Sequence, residues 1–418
     1  MDLMARKTQT VQWTRSDMPS TTQTPLPRVS VSDVLKRYGQ QYLDRFGTTM
    51  PAQQKKVLRA VMACRTAALG TIRYACTSCG HHHTVPRSCC NRHCPACQHA
   101  AAQSWLQKQL DRLLPCSYFL ITFTVPPELR AVLMANPKIG YAALMKAAAA
   151  ALQMAARNER HVGPGQLGFF GVLHTSGRDL TYHPHAHFVV AGGAVGKCES
   201  GACWKPSRAN YFVPERVLSI LFRAKLRDAL ENAGLSGSVP ASAWKRDWTV
   251  DSVAVGDGQA GLKYLAPYVL QGSVSNWRVT QCCWSESLAD ARLVLQVRPS
   301  GQRKYRPMPL TATDFIRRWL QHVLPTGFHR VRHHGFLNSH SKRSIQEVRW
   351  LIAVANDQLH YLACGVEFVI ATSTKMSCPQ CGGAMICLGY TPPPPIAYAG
   401  TSTARAPPNY VIAPMIAS

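Results

Sequence analysis

Apolar positions along this chain follow two periods, and the changes between them predict its elements. Tyr118 to Val125 is a run rich in aromatic and β-branched residues that Pro126-Pro127 stops, which predicts a strand. Gly168 to His174 and Thr181 to Ala191 predict two more, joined as a hairpin by the turn Ser176-Gly177-Arg178-Asp179, and Trp248 to Val255 predicts a fourth. Helical spacing governs other stretches. Ser32-Asp33-Val34-Leu35 starts like a capped amphipathic helix ending before Gly47, and Pro51 to Ala63 predicts a second. Further helices are predicted over Ala100 to Leu114 (with Lys108 and Arg112 on a basic face), Ile139 to Asn158 and Pro214 to Ala233. Strand, helix, hairpin, helix, strand, helix is the order of an α+β domain, an antiparallel sheet with helices on one face. Thr8 to Arg28 and the Pro/Ala-rich tail from Tyr390 onward show neither period and are expected to be disordered.

Composition narrows the class. A chain of 418 residues is expected to hold two or three domains. Its 47 Lys and Arg against 21 Asp and Glu give a net charge of +26, which suits a polyanionic partner, nucleic acid before a membrane surface. The longest apolar stretch, Tyr141 to Ala156, is alanine-rich with Lys146 in its middle and reads as a soluble helix rather than a membrane span. Met1 to Thr24 lacks the apolar core of a signal peptide, so the expected location is the cytoplasm, in association with the nucleoid.

Sixteen cysteines in a reducing compartment call for metal rather than disulfides. Seven fall between Cys64 and Cys97, among them two Cys-x-x-Cys pairs, Cys76/Cys79 and Cys94/Cys97. Two such knuckles fit one tetrahedral, structural Zn²⁺, with Cys64, Cys89, Cys90, His93 and the His81-His82-His83 run as spare donors able to join it or build another site. Cys378-Pro-Gln-Cys381 is half of a further zinc ribbon, for which Cys387 or Cys364 are candidate partners.

In Tyr182-His183-Pro184-His185-Ala186-His187-Phe188-Val189, alternate histidines run into an apolar stretch. On a strand, i and i+2 share a face, so His185 and His187 present two imidazoles side by side in metal-ligand geometry. The blander reading is a histidine-rich strand edge. Lys263-Tyr264-Leu265-Ala266-Pro267-Tyr268 sets two tyrosines at i and i+4 on one helical face. Taken alone, that pair reads as inward-packing aromatics. Since Pro267 is best tolerated in a first turn, the helix is expected to begin near Leu262.

Together these segments carry a resemblance. With Ala63-Cys64-Arg65-Thr66-Ala67-Ala68-Leu69-Gly70, Ser88 to Cys97, Ser275-Asn276, Phe315-Ile316-Arg317-Arg318 and Leu324-Pro325 through Phe336, they resemble in order the rolling-circle insertion-sequence transposases of bacteria. These are two-tyrosine members of the HUH endonuclease superfamily with an amino-terminal zinc-binding domain. Cys90 stands where an arginine is expected and Ile72 where a histidine is frequent.

The resemblance implies a segment 1–30 before a zinc-binding domain over 31–108, an HUH nuclease domain over 109–345, a region 346–390 with one knuckle, and a tail 391–418. It implies that His185 and His187 bind a catalytic divalent cation, Mg²⁺ or Mn²⁺, and that Tyr264 and Tyr268 are the nucleophiles. Gln271 is the candidate third ligand, with His174 behind it. Arg92, Lys263, Asn276 and Arg278 are candidates for contact with the DNA. The implied reaction nicks and rejoins single-stranded or hairpin DNA at element ends through a 5′-phosphotyrosine, and it needs no nucleotide. Gly192-Gly193-Ala194-Val195-Gly196-Lys197 accordingly fails as a phosphate loop, with Ala191 and Cys198 at its key positions.

Three other readings compete. A zinc hydrolase built on His183, His185 and His187 lacks a following Asp-His, and for an acidic-triad nuclease Asp179, Asp247 and Asp251 form no recognisable set. A non-catalytic zinc-finger DNA-binding protein, in which the histidines and tyrosines merely pack, is the alternative that covalent capture of DNA would exclude.

Overall fold

The computed structural model of the protein describes residues 29–270, 273–298, 302, 304–357 and 376–393. The amino-terminal segment up to residue 28 and the tail from 394 lie outside them, as do Gln271 and Cys364, whereas Tyr390 and Thr391 close a strand (Met385–Thr391). The chain forms two compact units, a larger one drawn from Met1–Cys64 and Ser88–Ser373 and a smaller one drawn from Arg65–Arg87 and Thr374–Ser418. Residues expected to form one zinc-binding segment, 31–108, are therefore shared between two bodies.

The larger unit is organised by an antiparallel sheet with strand order Val331–Gly335, Gln166–Ser176, Tyr182–Cys198, Tyr118–Thr124, Val250–Ala254. A sixth strand, Gly201–Pro206, pairs with the far end of Tyr182–Cys198. Helices were expected on one face of this sheet but cover both. Phe119, Ile121, Phe123, Ala186, Phe188 and Val190 pack against Pro137–Ala156 and Glu215–Glu231 on one side. Phe170, Val172 and Val189 pack with Leu262, Leu265 and Val269 and with Leu351 and Ile352 on the other. The reason is visible in Phe188-Val189-Val190-Ala191, apolar at both parities, which leaves neither face able to meet water. Helix Pro137–Ala156 is apolar and long enough to cross a membrane, yet 67% of its apolar 18-residue window is buried inside the protein.

A second core of the larger unit joins helices Val31–Phe46, Ala52–Ala63 and Ala312–Leu320 to a three-stranded sheet of Arg306–Thr311, Arg292–Val297 and Val279–Cys283. Val31–Phe46 opens on a capping box: the Ser30 hydroxyl accepts from the Asp33 N–H at 3.2 Å, and the Asp33 carboxylate accepts from the Ser30 N–H at 2.8 Å. The small sheet has little sequence signature, because Arg306-Pro307-Met308-Pro309 reads as a loop. Prolines are accommodated there because that strand is an edge.

The smaller unit is a three-stranded antiparallel sheet with Thr71–Cys76 at its centre, between His82–Pro86 and Met385–Thr391. The Arg65 N–H donates to the Arg87 carbonyl at 3.0 Å, closing the base of the segment Arg65–Arg87.

Candidate metal and nucleophile site

His185 and His187 lie on the sheet face that carries Val189, and pairing with the neighbouring strand sets His174 directly across from His185. The three ring centroids are 5.2 Å (His174–His185), 4.5 Å (His174–His187) and 4.8 Å (His185–His187) apart, and one nitrogen from each falls within 4.8 Å of the others. Of the two candidates for a third donor, Gln271 lies outside the described residues and His174 joins the cluster. His183, also on this strand, turns instead to Arg130, whose Nη2 is 2.6 Å from its Nδ1.

Second partners orient the rings. His185 Nδ1 lies 2.7 Å from its neighbour's carbonyl, the oxygen of His183, so it donates there and leaves Nε2 as the lone-pair nitrogen. His187 Nδ1 meets the Thr122 hydroxyl at 2.8 Å, while its Nε2 is buried with no hydrogen-bond partner. A buried, unpartnered imidazole nitrogen is costly unless something coordinates it. Burial first, then the neighbouring rings, holds His174 and His187 far below the usual histidine range, and His185 is pushed down to about 4. All three are neutral at physiological pH, the state a metal ligand needs.

The tyrosines ride on helix Gln259–Leu270, which buries Leu262, Leu265 and Val269 against this same sheet face. That leaves Tyr264 47% exposed, with its ring centroid 6.0 Å from that of His187. The helix starts three residues before the expected Leu262. Gly258 (φ +86°) turns the chain, and the Asp257 carboxylate accepts from the Gln259 N–H at 3.0 Å. Tyr264 is thus in the second turn, and position 267 is helix interior, where proline leaves the Lys263 carbonyl without its usual donor. Tyr268 is one turn further on. The buried Arg330, its guanidinium pushed down to about 10 by desolvation, donates to the Val269 carbonyl at 3.2 Å and ties the helix end to the sheet.

Thiol groupings differ from the expected one. Cys76/Cys79 and Cys94/Cys97 do not share a site: Cys94 and Cys97 gather with Cys64 and Cys89, whereas Cys76 and Cys79 gather with Cys378 and Cys381. In the first cluster, Cys94 lies 3.6 Å from Cys64 and Cys89 lies 3.5 Å from Cys97, sulfur to sulfur. Cys64 is positioned by the end of helix Ala52–Ala63, and of the spare donors it and Cys89 enter this cluster, whereas Cys90, His81, His82 and His83 do not. Nor does His93. It is buried beside Arg330, Arg92 and His322 and is held well below its usual range, first by burial and then by those charges. Cys387 is exposed on its strand and outside both clusters.

Three of the four expected DNA contacts serve the fold. Arg92 donates to the carbonyls of Phe328 and Pro325, the latter at 2.8 Å. Asn276 accepts from the Val31 N–H at 3.1 Å, and Arg278 donates to the carbonyls of Gln296 (2.8 Å) and Arg178. A flexible cationic side chain near an unpaired carbonyl satisfies it, which sequence position alone does not reveal. Lys263 is exposed beside Tyr264.

An antiparallel sheet with a His-x-His pair on its central strand, a tyrosine helix over that face and a four-thiol cluster nearer the amino terminus defines an HUH-type DNA-processing protein. Residues 168–344 match the family described as "Putative transposase", and residues 34–125 match the "Transposase zinc-binding domain". The chain is 34% identical over 347 residues to "Putative transposase y4qJ" of Sinorhizobium fredii, covering 78% of this chain and 84% of that protein. It is 29% identical over 297 residues to the "Transposase for insertion sequence element IS801" of Pseudomonas savastanoi pv. phaseolicola, covering 66% and 68%. No solved structure matches. The chain belongs to the rolling-circle insertion-sequence transposases that carry an amino-terminal zinc-binding domain.

Proposed function

We propose that this transposase cuts and rejoins single-stranded element ends through Tyr264 or Tyr268, with His174, His185 and His187 holding a divalent cation beside the scissile phosphate. The observation that carries the reading is the convergence of three neutral imidazoles, one with an unpartnered buried nitrogen, next to the half-exposed Tyr264. Three nitrogens suit Mn²⁺ better than Mg²⁺, and a bound cation would stabilise negative charge on the phosphate oxygens.

The chain's own part is nucleophilic. A tyrosine hydroxyl loses its proton and forms an O–P bond as the bond to the 3′ oxygen breaks. That gives a 5′-phosphotyrosine and a free 3′-hydroxyl. Phosphoester energy is kept in the covalent link, so the reverse step rejoins DNA without a nucleotide. The second tyrosine supports a second strand transfer. A single or melted strand is the substrate, because the backbone must reach both the helix and the histidine face, and the strongly basic chain suits it. Such chemistry places the protein at the nucleoid.

Labelled single-stranded DNA from the element's own ends, incubated with Mn²⁺ and the full chain, is expected to give a covalent adduct on a denaturing gel. His185→Ala/His187→Ala should lower the adduct by about 100-fold or more, and Tyr264→Phe or Tyr268→Phe should identify the attacking residue. A folded, zinc-loaded chain that forms no adduct would favour the non-catalytic zinc-finger DNA-binding alternative.

A further inference from the structure

The smaller unit poses a question that DNA cleavage does not answer: what holds it together. Among its described residues, the buried apolar cluster is Cys76, Cys378 and Met385, with Tyr74 and Met376 packed alongside. Two of the three buried members are cysteines. A sheet of three short strands over so small a core does not stabilise itself, and units of this size fold on a metal or a disulfide.

Its two turns are near copies of each other. Cys76-Thr77-Ser78-Cys79-Gly80 and Cys378-Pro379-Gln380-Cys381-Gly382 both end on a glycine in the left-handed region, at φ +71° and +73°. In each, that glycine's N–H donates to the first cysteine's carbonyl, at 3.1 Å from Gly80 to Cys76 and 2.9 Å from Gly382 to Cys378. N–H groups also point at sulfur, from Ser78 to Cys76 and from Gly383 to Cys381, both at 3.4 Å. Such donors favour thiolates over thiols. Across the pair, Cys76 Sγ is 3.4 Å from Cys381 Sγ, and Cys79 Sγ is 3.7 Å from Cys378 Sγ. Four thiolates about 2.3 Å from a tetrahedral Zn²⁺ stand about 3.8 Å apart, whereas a disulfide needs about 2.05 Å.

We infer that Cys76, Cys79, Cys378 and Cys381 bind one structural Zn²⁺, separate from the one suited to Cys64, Cys89, Cys94 and Cys97, and that this second ion completes a zinc ribbon split between two distant stretches of chain. Partners across it are 305 and 299 residues apart in sequence. Cys378 and Cys381 lie beyond both family matches, which end at 125 and 344, so the zinc-binding domain of the family contains only half of this site. Four thiolates leave no open position, and the ion's role is to hold Met385–Thr391 against Thr71–Cys76.

Zinc per chain, measured on the purified full-length protein by plasma mass spectrometry, is expected to be two. Cys378→Ser/Cys381→Ser should lower it to one, Cys76→Ser/Cys79→Ser should do the same, and the quadruple variant should lose no more than either pair. A value of one for the unaltered chain, or no loss from the Cys378/Cys381 pair, overturns the inference. A readout free of mutation guards against misfolded variants: alkylation of the native chain followed by peptide mass spectrometry. All four cysteines should be protected together and released together by a chelator. Immediate labelling of Cys378 and Cys381 while Cys76 and Cys79 stay protected, or a Cys76–Cys381 disulfide, refutes it. None of these readouts depends on DNA cleavage.

Discussion

The histidine cluster and the split cysteine cluster both gather metal donors, yet opposite causes bring their donors together. His174, His185 and His187 sit on adjacent strands whose backbone pairing, buried on both faces, fixes them whether or not an ion is bound. Cys76, Cys79, Cys378 and Cys381 belong to a unit whose described residues form almost no apolar core. In the first region the fold makes the site; in the second the site makes the fold. A donor set alone therefore does not say whether a metal does chemistry or holds structure, and the packing around it does.

Removing zinc should separate the regions most sharply. A strong chelator should abolish amide protection in Thr71–Cys76 and Met385–Thr391, because structural zinc supplies on the order of 10 kcal/mol in small sites. Protection in Tyr182–Val190 should persist. Equal loss in both, followed by hydrogen-exchange mass spectrometry, would erase the contrast.

Acid probes the framework of the larger unit with a smaller effect. His322 is buried, with the Thr175 hydroxyl 3.2 Å from Nδ1 and the Leu180 carbonyl 3.2 Å from Nε2, and burial pushes it down to about 4. The folded state refuses a proton that the unfolded chain accepts, so this group's contribution is complete above pH about 6.5 and is lost as pH falls towards 4. Between pH 7 and 5 the loss is about 2 kcal/mol from this group alone. Urea titrations of the unaltered chain and His322→Gln should diverge in their pH dependence by that amount; parallel curves would show that the imidazole is not held neutral.

Smallest is the effect of Gly382→Ala. An added methyl would meet nothing within 4 Å, so only the left-handed backbone resists it, at about 1 kcal/mol. In the split ribbon that penalty should appear as roughly fivefold weaker zinc retention in a competition titration, with the histidine sheet untouched.

Much of the larger unit was legible in the sequence because its signals are local. The alternation His185-Ala186-His187 running into Phe188-Val189 gave the strand and the face, and Tyr264 and Tyr268 gave the helix. His174 was harder, since its place depends on a bulge: Ser176 pairs with Tyr182, but His174 pairs with His185, a slip of one residue. Without it His174 would stand across from Pro184, on the wrong face. Nothing local encodes that slip. The grouping of the cysteines was misread for a related reason, since neighbouring knuckles such as Cys76/Cys79 and Cys94/Cys97 look like partners. What decides the matter is the strand pairing of Thr71–Cys76 with Met385–Thr391, a contact across most of the chain.

The spacing of that pairing also sets a timetable. Once Cys79 is added, 299 more residues bring the chain to Cys378, an interval on the order of tens of seconds at about 5–20 residues per second. Throughout it, Cys76 and Cys79 are a half-finished ligand set, open to any passing metal or oxidant. A message cut short after the histidine sheet would yield a protein that keeps its histidine face yet never closes its ribbon, so the ribbon is a record that translation has passed Cys381.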